Sequence, residues 1–171
     1  MVDLLKDTLS KINDWIKYAE AKNAANIAFC SASIFGVSRL ALAQEELPMS
    51  IAYYSIMVVV LLMLSIVMSF MSFIPRLKSP WVFIGERSDS DNLLYFGDAC
   101  KYSGVSYLKK LYEGKDGTSE NYSIELMYAN QIVVNSKVAY MKFKSFDVAV
   151  MFTISSVVTP IGACLLYCLR D

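Results

Sequence analysis

At 171 residues the chain is long enough for one domain, and its 56% hydrophobic content lies above the roughly 45–50% usual in soluble globular proteins. With a mean hydropathy of +0.42 this points to a membrane class, while sixteen basic and sixteen acidic residues cancel and give no global attraction for a nucleic-acid polymer. The complete lack of histidine removes Ser-His-Asp, Cys-His and His-metal chemistry, and Cys30, Cys100, Cys164 and Cys168 form no C-x-x-C pair, so neither a metal site nor a disulfide framework is expected.

The N-terminal segment has no apolar h-region and no small-residue cleavage site, so it is expected to be retained as a helix. Leu5, Leu9, Ile12, Ile16 and Ala19 alternate spacings of four and three, which builds an apolar seam suited to the membrane surface or to another cytoplasmic helix. No Gly or Pro interrupts Val2 to Phe35, so this helix should continue into a first span at about residues 24–43. That span is rich in small residues, and Ala24, Ala28, Ala32 and Gly36 form a small-xxx-small row that lets helix backbones approach closely in lipid. The threshold before it, K-Y-A-E-A-K-N-A-A-N-I-A-F, crowds Glu20, Lys22, Asn23 and Asn26 where lysine anchoring accounts for only part of the polarity.

The run from Ile51 to Ile74 carries no charge and is long enough to cross a hydrocarbon core of about 30 Å. Ser65, Ser69 and Ser72 share one of its faces and suit either interhelical hydrogen bonds or a wet path. After the basic stop P-R-L-K-S-P, a loop with a short extended piece at Trp81 to Ile84 is expected. G-E-R-S-D-S-D-N within it is neither a P-loop nor a calcium loop, and Asp89 and Asp91 read as solvation of that loop. Residues 92–114 hold one or two short helices, closed by a polar turn at Gly114 to Thr118. Ser119 is the predicted N-cap of the next helix.

From Glu120 to Val158 there is again no Gly or Pro, so one helix of some fifty residues is predicted to run from the cytoplasm through a third span at about 146–169. Thr153, Ser155, Ser156 and Thr159 supply polarity within that span. The fold class is therefore all-α: a helical integral membrane protein with three transmembrane helices and a cytoplasmic helical region at about 1–23 and 75–145, all in one domain. Four lysines precede residue 24 and ten Lys or Arg lie between Pro75 and Ser145, whereas the Q-E-E-L-P-M-S connection has none. The positive-inside rule thus places the N-terminus in the cytoplasm.

Gln131, Asn135 and Lys142 lie near one face of the long helix, at separations of four and seven residues. If this face meets Glu20, Lys22 and Asn23, amides suited to a base edge and ammonium groups suited to a phosphate converge at the cytoplasmic mouth. The competing reading is a solvated helix face with lysine anchors. Tyr95, Phe96, Tyr102 and Tyr107 are candidates for a stacking surface or for the core. No G-x-S-x-G and no paired carboxylates support catalysis, so an enzyme is not expected.

W-I-K-Y-A-E-A-K-N-A-A at 15–25, the stop I-P-R-L-K, N-L-L-Y-F-G-D at 92–98 with Y-L-K-K-L after it, and Q-I-V-V-N-S-K-V-A-Y-M-K-F at 131–143 together resemble the transmembrane effectors of bacterial Pycsar antiphage systems. The A-x-x-K element of that family maps onto Ala19 and Lys22. The resemblance implies a multi-pass bacterial inner-membrane protein that impairs the membrane when a partner cyclase makes a cyclic pyrimidine nucleotide, cyclic UMP or cyclic CMP. It implies no other cofactor. Self-association into a homo-oligomer through the small-residue row is the accompanying expectation, and the alternative is a non-sensing membrane anchor that docks a partner protein.

Overall fold

The computed structural model describes residues 1–43, 48–74, 84–113 and 122–168, with side chains to residue 160 in the last stretch. Its elements are α1 (Val2–Leu42), α2 (Met49–Met71), α3 (Phe96–Ala99), α4 (Gly104–Tyr112) and α5 (Tyr122–Cys168). Every regular element among the described residues is helical. The expected basic stop, the start of the extended piece at Trp81, the 114–118 turn and the Ser119 cap lie outside the described residues. The chain divides into two compact units: Met1–Glu20 with Pro75–Lys144, and Ala21–Ile74 with Ser145–Asp171.

The first unit is organised around an apolar core. The predicted seam of α1 supplies it: Leu5, Ile12 and Ala19 are buried, and Leu5 and Ile12 join Leu93, Phe96, Ala99, Tyr102, Tyr107, Leu108, Ala129, Ile132 and Val133, with Leu9 and Ile16 packed at the margin. The seam therefore faces protein within this unit. Phe96, Tyr102 and Tyr107 belong to the core, and the Tyr107 hydroxyl donates to the Leu93 carbonyl at 2.9 Å, which satisfies the one polar group that a buried tyrosine brings with it.

Two local devices fix α4. Ser103 caps it through a reciprocal box with Ser106, each side chain reaching the other's backbone N–H. Gly104, its first residue, is buried so closely against α5 that an added Cβ would stand 1.9 Å from the Asn130 amide oxygen and 3.0 Å from the Asn130 Cα. Only a residue without a side chain allows that approach.

Asp91 departs from the expectation of a solvated loop acid. Its carboxylate accepts from the Lys101 ammonium at 2.8 Å, from the Tyr102 hydroxyl at 3.0 Å and from the Ser88 backbone N–H at 2.9 Å. Lys101 also reaches Asp98 at 2.7 Å, and Arg87 lies over the Tyr102 ring. The loop is thus clasped onto α3 and α4. Donation from Lys101 and from the Ser88 backbone holds the Asp91 carboxyl below its ordinary 3.8, at about 2. Asp89 remains exposed, 3.2 Å from Lys110.

In the second unit the polarity is inverted. Val67, Phe70, Met63, Met151, Ile154 and Phe35 are exposed, whereas Asn23, Asn26, Ser65, Ser69, Ser72, Thr153 and Ser156 are buried. The Asn26 amide donates to Ser65 at 2.8 Å and to Ser69 at 2.9 Å, and its oxygen accepts from Thr153 at 3.0 Å. Ser65 bonds to the Ala149 carbonyl and shares a bond with Thr153, and the Cys30 thiol lies 3.3 Å from Thr153. Asn23 closes the series by donating to Ser72 at 3.1 Å. Cys30, Val58 and Leu62 form the small apolar core beside these bonds. The serine face of α2 therefore serves interhelical hydrogen bonding, the first of its two sequence readings.

These pairings also set direction. Rising positions on α1 (23, 26, 30) meet falling positions on α2 (72, 69, 65), so the two run antiparallel. Lys22 over the Phe146 ring and Cys30 beside Thr153 make α1 and α5 parallel. Among the described residues two helices, α1 and α2, are long and apolar enough to cross a membrane. Ala24, Ala28 and Ala32 of the small-residue row are not buried, and a Cβ added at Gly36 meets no atom within 4 Å. Among the described residues nothing covers Ala24, Ala28 and Ala32.

Candidate functional site

In the first unit α1 and α5 run parallel, because Asn13 meets Asn135 and, seven residues further on each helix, Glu20 meets Lys142. Seven residues are close to two turns, so both polar pairs fall on one flank of the apolar seam. Trp15 and Tyr18 fall on the other flank, where the Phe143 ring stacks on Phe96 at 5.1 Å and Trp15 packs against both.

The Asn135 amide donates to the Asn13 oxygen at 2.7 Å and its own oxygen accepts from Gln131 at 2.9 Å. The Lys142 ammonium lies 3.0 Å from a Glu20 carboxylate oxygen. Burial is unequal: the lysine side chain is 9% exposed and the glutamate side chain 43%. A buried cation is thereby held against a carboxylate whose other side faces solvent.

The six candidates do not all share partners. Glu20 and Lys142 form one pair, and Gln131 and Asn135 form a chain that ends on Asn13. Lys22 and Asn23 belong to the second unit, where the lysine lies over Phe146 at 5.1 Å and the asparagine enters the buried serine series. Sequence reasoning misses Asn13, although its place seven residues before Glu20 is a readable signal. Tyr95 is the exposed member of the proposed aromatic set; Phe96, Tyr102 and Tyr107 are core, and the other exposed rings of this unit include Trp15 and Tyr18.

Cys100 and Tyr107 are buried in the first unit. Burial pushes the Cys100 thiol up to about 11 and the Tyr107 hydroxyl up to about 12, so neither offers a nucleophile near neutral pH. Among the described residues no cluster of His, Cys, Asp and Glu is arranged to hold a metal ion.

The family profile described as the Pycsar effector protein domain matches residues 4–169. The chain belongs to the Pycsar effector family. A curated relative, the Pycsar effector protein RsPycTM of a Rhizobium species, is 29% identical over 168 residues, covering 94% of this chain and 93% of the relative. No solved structure matches. As a Pycsar effector the chain is an antiphage defence effector at a membrane, not an enzyme. Family membership also implies a cyclic nucleotide signal made by a partner cyclase.

Proposed function

We infer that this Pycsar effector is a three-span inner-membrane protein, N-terminus in the cytoplasm, that impairs the membrane when it senses a cyclic nucleotide. The observation that carries the membrane part is the inverted second unit: apolar side chains outside and a neutral hydrogen-bonded series inside are stable against lipid and unfavourable against water. Helix direction supports the third span. With α1 and α2 antiparallel and α5 parallel to α1, a bilayer crossed by the first two is crossed by α5 in the sense of α1. Pro160 within α5 is compatible with this, because neighbouring helices and hydroxyls satisfy freed backbone groups in membrane helices.

The Ala24, Ala28, Ala32 and Gly36 row supports self-association, since small residues at such a face allow close helix packing. The ligand reading centres on Glu20, Lys142, Gln131 and Asn135, with Lys22 and Asn23 as neighbours in sequence and cyclic UMP or cyclic CMP as the signals to test. Binding must favour the active state, because equal affinity for both states shifts nothing. Co-expression with a pyrimidine nucleotide cyclase should depolarise the inner membrane, read by a potential-sensitive dye. An unchanged potential with every cyclic nucleotide supplied would sink the sensing reading.

The mutual pairing of Glu20 with Lys142 and Asn13 with Asn135 favours a second reading, in which these groups hold α1 to α5 and the chain is a non-sensing anchor for a partner protein. Calorimetric titration of the purified protein with cyclic UMP and cyclic CMP separates the two. The anchor binds neither.

A further inference from the structure

We propose that the Glu20–Lys142 ion pair is an anion-exchange latch, in which a phosphodiester monoanion replaces the Glu20 carboxylate on the Lys142 ammonium and so opens this one link between α1 and α5. This deepens the sensing reading above and rests on it for the identity of the stimulus. Three features of the pair carry it.

The first is the unequal burial of the partners. Lys142 is held inside and Glu20 faces water, so the carboxylate is the member that an arriving solute can displace while the ammonium keeps an anionic partner throughout. Exchange of one anion for another keeps a counter-charge beside the buried ammonium, which a low-dielectric site favours. The second is charge. A carboxylate and a phosphodiester each carry one negative charge, so exchange leaves the site neutral, and either anion accepts charge-assisted hydrogen bonds from an ammonium.

The third is position. The pair joins the same two parallel helices as Asn13 and Asn135, two turns away on the same flank, with Gln131 bonded onward to Asn135. Amides with both donors and acceptors therefore lie two turns from the latch on the same flank. Displaced Glu20 stays at the solvent side of α1, where hydration offsets its lost partner. Both free cyclic nucleotides and lipid headgroups present this chemistry, and the assay distinguishes them.

The full chain in nanodiscs is titrated with cyclic UMP and cyclic CMP, with inorganic phosphate as a control, in discs of zwitterionic lipid and in discs containing phosphatidylglycerol. In cells, membrane potential is read without the cyclase. Glu20→Gln removes the competing anion: nucleotide affinity should rise roughly tenfold, the scale of one charge-assisted contact, and the potential should fall without any stimulus. Lys142→Met should abolish binding in both disc types. The swap Glu20→Lys with Lys142→Glu keeps the ion pair, and hence the helix contact, but places the carboxylate on α5; helicity and elution volume should match wild type while nucleotide binding is lost.

Binding that depends on phosphatidylglycerol and not on nucleotide would assign the phosphodiester to lipid, keeping the latch and overturning the nucleotide as its operator. If wild type answers no nucleotide, the sensing reading fails, and the unstimulated potential of Glu20→Gln still decides the latch. A wild-type potential in Glu20→Gln, or nucleotide binding that survives Lys142→Met or the swap, overturns it.

Discussion

The two units of this chain use the same helices in opposite ways. Where α1 passes through the first unit it buries Leu5, Ile12 and Ala19, and in the second it buries Asn23, Asn26 and Cys30. An apolar interior with a polar, loop-bearing exterior is the arrangement that water enforces, because burial of apolar area is the main favourable term. A polar interior under an apolar exterior gains nothing from that term and relies on interhelical hydrogen bonds and close packing, as lipid requires. One continuous α1 therefore changes from an apolar buried face to a polar one along its length.

The comparison breaks most visibly if the second unit is not in lipid. The chain should remain wholly in the membrane pellet after an alkaline carbonate wash and be released by detergent; recovery in the aqueous fraction would mean that the exposed face of α2 meets something other than lipid. The next effect is a contrast between two leucines. Leu108→Ala empties a fully buried position of the first unit and is expected to cost about 2–5 kcal/mol, whereas Leu64→Ala on the outer face of α2 should stay within about 0.5 kcal/mol. Unfolding in detergent, followed by circular dichroism, measures both. Equal costs would place Leu64 against protein.

Asn26→Ala sharpens the comparison from the other side. It leaves Ser65, Ser69 and Thr153 without a shared amide, and the expected loss is roughly 1–2 kcal/mol, from three interhelical bonds at about 0.6 kcal/mol each. A loss near zero would show the serines re-pairing with their own helix. The smallest effect belongs to the Asp91 clasp. Because the folded carboxyl is depressed to about 2, its contribution is present above its unfolded value near 3.8 and fades as pH falls toward 2. The stability gap between wild type and Asp91→Asn should therefore shrink on going from pH 7 to pH 3, and a constant gap would assign the effect to shape alone.

Much of the fold is readable because helical periodicity is local. The alternation of Leu5, Leu9, Ile12, Ile16 and Ala19 predicts a buried stripe whatever covers it, and the lack of Gly and Pro from Val2 to Phe35 and from Glu120 to Val158 predicts that α1 and α5 run unbroken there. Asp91 defeats such reading because a loop acid followed by Asn and preceded by Ser looks like solvent-facing polarity; its partners Lys101 and Tyr102 lie ten and eleven residues away, and the Asp91 loop has no helical spacing to relate them. For the candidate site, residue type and depth are legible and partnership is not. Lys142 and Glu20 pair as opposite charges on facing helices, while Asn23, two turns before Cys30 on the same face, joins the serines of α2.

By itself the sequence determined the helices, the apolar stretches fit for lipid, the small-residue row and the family, since each of these is written in periodicity, composition or ordered motifs along the chain. Only the tertiary structure decided which way the stripes face and which polar groups meet. A contact between residues 122 positions apart depends on how two helices lie side by side, as the bonds from Asn135 to Asn13 and from Lys142 to Glu20 do, and no local pattern specifies that register.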